Sequence, residues 1–153
     1  MNKFIAFIIF LICYKEADSQ SVYPYEEIKL DKPADYRNAE PFALNATTFL
    51  LSTPFKAKDS DRERALKFLA RWAVGAKDYH LELTGIIQDF YDEKDMMSLF
   101  IPAMVKFCLE NKALGSNTSL IEKAAVKTVL DYCNDPTKNF TLKKKFRKKL
   151  ESN

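Results

Sequence analysis

Apolar residues come in two kinds of run along this chain. One is continuous: Phe4 to Tyr14 reads FIAFIIFLICY. Lys3 precedes it, and Ala17-Asp18-Ser19 follows, placing small residues three and one positions ahead of a cut before Gln20. Charge, apolar run and small residues in that order are the pattern of a cleaved secretory signal over residues 1–19. The run is only about half of the ~20 apolar residues a spanning helix needs, which favours removal over a retained anchor. The expectation is an exported protein, periplasmic or secreted.

From Gln20 onward the apolar positions recur at helical spacing. Residues 21–30 (SVYPYEEIKL), broken by Pro24, read as part of an extended arm over 20–33 laid on the body. Asp31-Lys32-Pro33 signals a helix start, because proline is tolerated in a first turn. A first helix is predicted over 34–51, with Phe42, Ala46, Phe49 and Leu50 on its apolar face. Pro41 must kink it or delay its regular part. Ser60 and Glu63 have capping-box spacing and open a second helix through Phe68, Leu69 and Trp72, ended by Gly75.

Residues 78–83 alternate and read as a short extended link. A short helix over 84–91 precedes a longer one over 95–111, which buries Met97, Phe100, Ile101, Met104, Val105, Cys108 and Leu109 and is interrupted by Pro102. Ser119 and Glu122 form a second capping-box pattern, opening a helix to Cys133 that buries Ile121, Ala125, Val129 and Tyr132. Thr141 is the expected cap of a last helix over 142–150.

These elements predict an all-α protein: one domain of about five or six helices packed as antiparallel hairpins, with a short extended N-terminal arm. The helical domain is expected over 34–136 and a basic amphipathic C-terminal helix over 137–153. A hydrophobic fraction of 47% excludes a disordered chain, and only three glycines argue against a turn-rich β fold.

The net charge of +3 conceals an asymmetry. Residues 137–153 carry seven basic side chains against the single acid Glu151, so the body over 20–136 is net −3. Leu142, Phe146 and Leu150 share one face of the last helix, and Lys143, Lys144, Lys145, Arg147, Lys148 and Lys149 cover the rest. Such a helix can lie on an anionic membrane surface. The commoner arrangement is that its apolar residues dock on the body and its lysines are solvated. Charge alone also allows nucleic acid, but export makes that partner unexpected.

Cys13 falls in the signal, and bulky Ile12 before it disfavours lipidation. Cys108 and Cys133 remain. Export permits a disulfide between them, while their apolar neighbours favour two buried thiols.

PYEEIKL (24–30), FLLSTPF (49–55), FLARWAVGAKDY (68–79), VKFCLEN (105–111) and LDYCNDP (130–136) occur in this order. In that order they resemble a family of small uncharacterised exported proteins from Bacteroidota. The resemblance spans most of the mature chain and implies an all-helical envelope protein. It carries no catalytic residues to transfer.

Chemistry is sparse. His80 is the single histidine, and no Cys-x-x-Cys or His-Glu-x-x-His spacing exists, so no metal or cofactor is expected. Pairing of His80 with either cysteine as base and nucleophile rests on geometry that sequence does not supply. Asp89, Asp92, Glu93 and Asp95 lack the spacing of a calcium loop, and a place near a helix start explains Asp92 to Asp95 through the macrodipole. Asn45, Asn117 and Asn139 begin Asn-x-Ser/Thr triplets that read as turn chemistry.

The expectation is a non-enzymatic exported protein binding a protein or envelope partner. The alternatives are a small hydrolase with a spatially assembled site and a structural subunit of an envelope assembly.

Overall fold

Residues 23–152 are described by the computed structural model, so the signal-like segment and the first residues of the arm lie outside it. The described chain is all-helical. It forms α1 (Pro33–Asn38), α2 (Glu40–Ser52), α3 (Ser60–Gly75), α4 (Gly85–Gln88), α5 (Lys94–Glu110), α6 (Thr118–Asn134) and α7 (Lys144–Glu151), with 3₁₀ turns at Tyr25–Glu27, Lys112–Leu114 and Pro136–Lys138.

The predicted first helix is two helices, hinged at Ala39, with Pro41 in the first turn of α2. Proline is cheap there because the first turn's N–H groups have no partners inside the helix. Ahead of α1, the Asp35 carboxylate accepts from the backbone N–H groups of Asp31 and Lys32, both at 3.0 Å.

Neither capping box forms. Asp59 rather than Ser60 caps α3, accepting from the N–H groups of Asp61 and Arg62. Asn117 rather than Ser119 caps α6, accepting from Leu120. Asp and Asn cap at least as well as Ser, and here they come first in the chain. Glu63 instead faces Lys67, which holds its carboxyl below the usual range. Glu122 accepts from the backbone N–H of Ile86 at 3.0 Å, tying α4 to α6. Gly85 permits that approach: its φ is +53°, and a Cβ there would lie 2.2 Å from the Glu122 carboxylate.

α5 is the central helix, packed against α2, α3 and α6. Its face is broader than the predicted stripe: Met96, Leu99, Pro102 and Ala103 are buried, while Ile101 is only half-buried. Pro102 does not interrupt it. The helix runs on, although proline inside a helix costs about 3 kcal/mol. Burial on three sides offsets that cost.

Cross-links at the helix ends set the directions. At one end Glu40 of α2 accepts from Tyr79 and pairs with Lys112 beyond α5. At the other, the Tyr132 hydroxyl donates to the Thr53 carbonyl at 2.8 Å, and Phe55 N–H donates to Lys138 O at 2.7 Å. α2 and α6 therefore run one way and α3 and α5 the other. Residues 76–93 climb the bundle between α3 and α5. They hold α4 but no strand, and His80 N–H is tied to Gly115 O at 2.8 Å.

The arm is not extended throughout. Its 3₁₀ turn buries Tyr25, which stacks on Phe68 at 5.1 Å between centroids. On α2 the buried residues are Ala43, Ala46, Thr47 and Leu50; the predicted core residue Phe42 is 38% exposed and meets Tyr23 of the arm edge-on instead.

Candidate functional site

α7 has little reason to be helical by itself. Eight residues are too few for a stable isolated helix in water. Thr141 does not cap it; Lys143 is the cap residue and makes no side-chain capping bond. Lys144 and Lys145 in the first turn oppose the macrodipole, although Lys148 and Lys149 suit the last turn. Docking supplies what local sequence does not. Leu150 is buried, Leu142 and Phe146 are half-buried, and Phe146 meets Phe90 edge-on at 5.2 Å.

The cations divide by face. Lys149 Nζ lies 2.7 Å from Asp89 and Lys143 Nζ lies 3.4 Å from Glu93. Arg147 donates to Asn134 on α6 at 2.7 Å and reaches Glu151. Two of the four acids at 89–95 thus serve as counter-charges for the C-terminal helix, a role beyond the macrodipole account of that cluster. Lys144, Lys145 and Lys148 are exposed, with no carboxylate among the described residues within ion-pair distance. Their offsets of one and four positions keep them within about 100° of one another around the helix. Lys145 also lies over the Phe146 ring, 4.6 Å from its centroid.

The apolar side of α7 is therefore spent on the body. While the helix stays docked, contact with an anionic surface is limited to the outward ammonium groups.

Cys108 and Cys133 are free, buried thiols. Burial pushes both up to about 11, so neither is a thiolate at neutral pH. The candidate disulfide has no geometry to close. Cys108 sits near the α5–α6 turn and Cys133 at the far end of α6. Along an antiparallel hairpin that offset is about 20 Å, against the Cα separation below ~7 Å that a bridge requires. His80 is exposed on its loop, and a protonated, buried Cys108 does not match the nucleophile of a thiol–imidazole pair.

Among the described residues no group of three or more His, Cys, Asp or Glu side chains is arranged to hold a metal ion, and no helix is long and apolar enough to cross a membrane. Of the Asn-x-Ser/Thr residues, Asn117 caps α6, Asn139 takes the left-handed conformation at φ 53°, and Asn45 accepts from Tyr25.

Two hollows were not visible in the sequence. One of about 230 Å³ lies where α1 and α2 meet the end of α3, above Tyr36, Trp72 and Tyr79. Part of its charged rim is already paired: Arg37 grips Asp78 at 2.7 Å, and Glu40 is engaged by Tyr79 and Lys112. The other, about 150 Å³, is apolar, lies between α3 and α5, and is edged by Val74, which is 88% exposed.

Comparison with protein-family models, curated proteins and solved structures finds no match to this chain.

Proposed function

We propose that the protein is a non-enzymatic, exported helical domain that binds an anionic envelope surface through α7. The observation that carries this reading is the division of charge on that helix. Lys143, Arg147 and Lys149 are used to hold it down, and Lys144, Lys145 and Lys148 point away with no carboxylate partner. A helix seated by its apolar residues holds those ammonium groups in a fixed array, so little further ordering is needed on contact. Export, expected from the N-terminal segment, puts that array where anionic lipid headgroups are available. Each cation near such a surface contributes about 1 kcal/mol, falling off within a Debye length.

The test is sedimentation of the protein with vesicles of phosphatidylethanolamine and phosphatidylglycerol, against neutral phosphatidylcholine vesicles. Binding to the anionic vesicles alone, lost in the variant K144E/K145E/K148E and weakened by salt, is the expected result. Equal sedimentation of the wild type and the triple variant would overturn the reading.

A further inference from the structure

Phe146 and Leu150, which with Leu142 just ahead of the helix seat α7 on the body, are also the residues with which an amphipathic helix enters a bilayer interface. From this coincidence we infer that α7 is a detachable latch. On an anionic bilayer it leaves its seat, lays its apolar face into the interface, and uncovers the surface beneath it. The inference rests on the proposed function and adds the mode of contact.

Four observations support it. First, the seat is narrow: Leu150 is the only fully covered residue of α7, and Leu142 and Phe146 remain half-exposed. Second, two of its ties to the body are ion pairs open to solvent, although Glu93 is half-buried. The Lys149–Asp89 side chains are 46% and 49% exposed, and Lys143 is 63% exposed. Such pairs contribute little and are screened by salt. Third, an anionic bilayer offers α7 both things that the body offers, apolar contact and negative charge. It also offers negative charge to Lys144, Lys145 and Lys148, for which the described body supplies no carboxylate within ion-pair distance. Fourth, α7 is eight residues long, too short for a stable isolated helix in water, and an interface can support its apolar face as a protein body does.

Release has a local signature. Arg147 of α7 bonds to Asn134, the residue after Cys133, and the seat also covers Phe90. Cys133 therefore lies at the latch end of the bundle, whereas Cys108 is fully buried at the opposite end near Tyr79. The two thiols report separately on the latch and on the rest of the fold.

The experiment is labelling of the full chain with a water-soluble maleimide, with and without phosphatidylethanolamine–phosphatidylglycerol vesicles, and mass mapping of the two cysteines. The expected result is that Cys133 labels about tenfold faster or more on the vesicles while Cys108 stays protected. The variant F146D/L150D, which releases α7 in solution, should label at Cys133 without vesicles. Vesicle binding with neither thiol exposed would overturn the latch while leaving docked binding by the outward lysines intact. Labelling of both thiols would mean that the bundle unfolds on lipid, which also overturns it. Absence of vesicle binding would remove the latch and the proposed function together.

Discussion

Lys149 and Asp89 face each other at 2.7 Å, one in the basic C-terminal segment and the other in the acidic turn before α5. Taken separately along the chain, these are two isolated charge clusters. Together with Lys143 and Glu93 they are one electrostatic seam that orients α7 on the bundle. The seam sets register, and the apolar contacts of Leu150 and Phe146 supply most of the docking energy.

That division of labour is measurable. Leu150→Ala should destabilise the protein by about 2–4 kcal/mol, in the range for a buried leucine. A double-mutant cycle between Asp89→Ala and Lys149→Ala should give a coupling of only about 0.2–1 kcal/mol, vanishing in high salt. Denaturant unfolding of the four proteins decides it. A coupling larger than the Leu150→Ala loss would mean that charge, not burial, holds α7.

Helix existence was legible because the apolar period is strong. Trp72, Phe100, Val105, Ile121 and Val129 are all buried where the pattern put them. Boundaries and caps were less so. Ser-x-x-Glu occurs twice, yet an earlier Asp59 and Asn117 take the caps, and Glu122 turns to Ile86. Spacing along the chain does not say which helix ends meet. For that reason the Lys149–Asp89 seam, the role of Arg62 and the separation of the two cysteines emerge only in three dimensions. Phe42 failed as a core residue because the hinge at Ala39 sets the face of α2 toward Ala43, Ala46 and Leu50.

Arg62 is the buried charge that the pattern did not foretell. It is 5% exposed and closes the C-terminal end of α2, donating to Leu50 O at 3.0 Å and Thr53 Oγ1 at 2.8 Å. Its guanidinium also lies over Phe55 at 5.7 Å. Burial lowers its pKa, opposed by Tyr132 and Asp59. Arg62→Met should cost about 2–4 kcal/mol, because it leaves the buried Leu50 carbonyl without its donor and removes the bond to Thr53. Arg62→Lys should recover less than half of that, since one ammonium cannot replace a fork. Equal stability of Arg62→Lys and the wild type in urea melts would contradict this role.

The buried thiols predict an alkaline limit. Both are pushed from about 9 up to about 11 by burial, and Tyr25 is raised to about 12. The unfolded chain loses these protons first, so above pH about 9 it binds fewer protons than the native state, and stability falls as pH rises. The thiol contribution is present in full below pH about 9 and is lost by about 11. In the variant C108A/C133A the decline in unfolding free energy over that window should be shallower than in the wild type. Identical slopes would show that the thiols are not protected in the fold.

Trp72 separates packing from hydrogen bonding at the other end of the bundle. Its side chain is fully buried, and its Nε1–H donates to Tyr36 O at 2.9 Å, fastening α1 to α3. Tyr79 lies 5.7 Å from it between centroids. Trp72→Ala empties that volume and should cost about 3–5 kcal/mol. Trp72→Phe keeps much of the ring contact but leaves the Tyr36 carbonyl without its donor, for a smaller loss of about 1–3 kcal/mol. Hydrogen exchange localises the difference. Trp72→Phe should speed exchange chiefly in α1, whose attachment depends on that bond, whereas Trp72→Ala should speed it in α3 and α5 as well. If Trp72→Phe costs as much as Trp72→Ala, the bond to Tyr36 rather than the packed ring secures this end of the bundle.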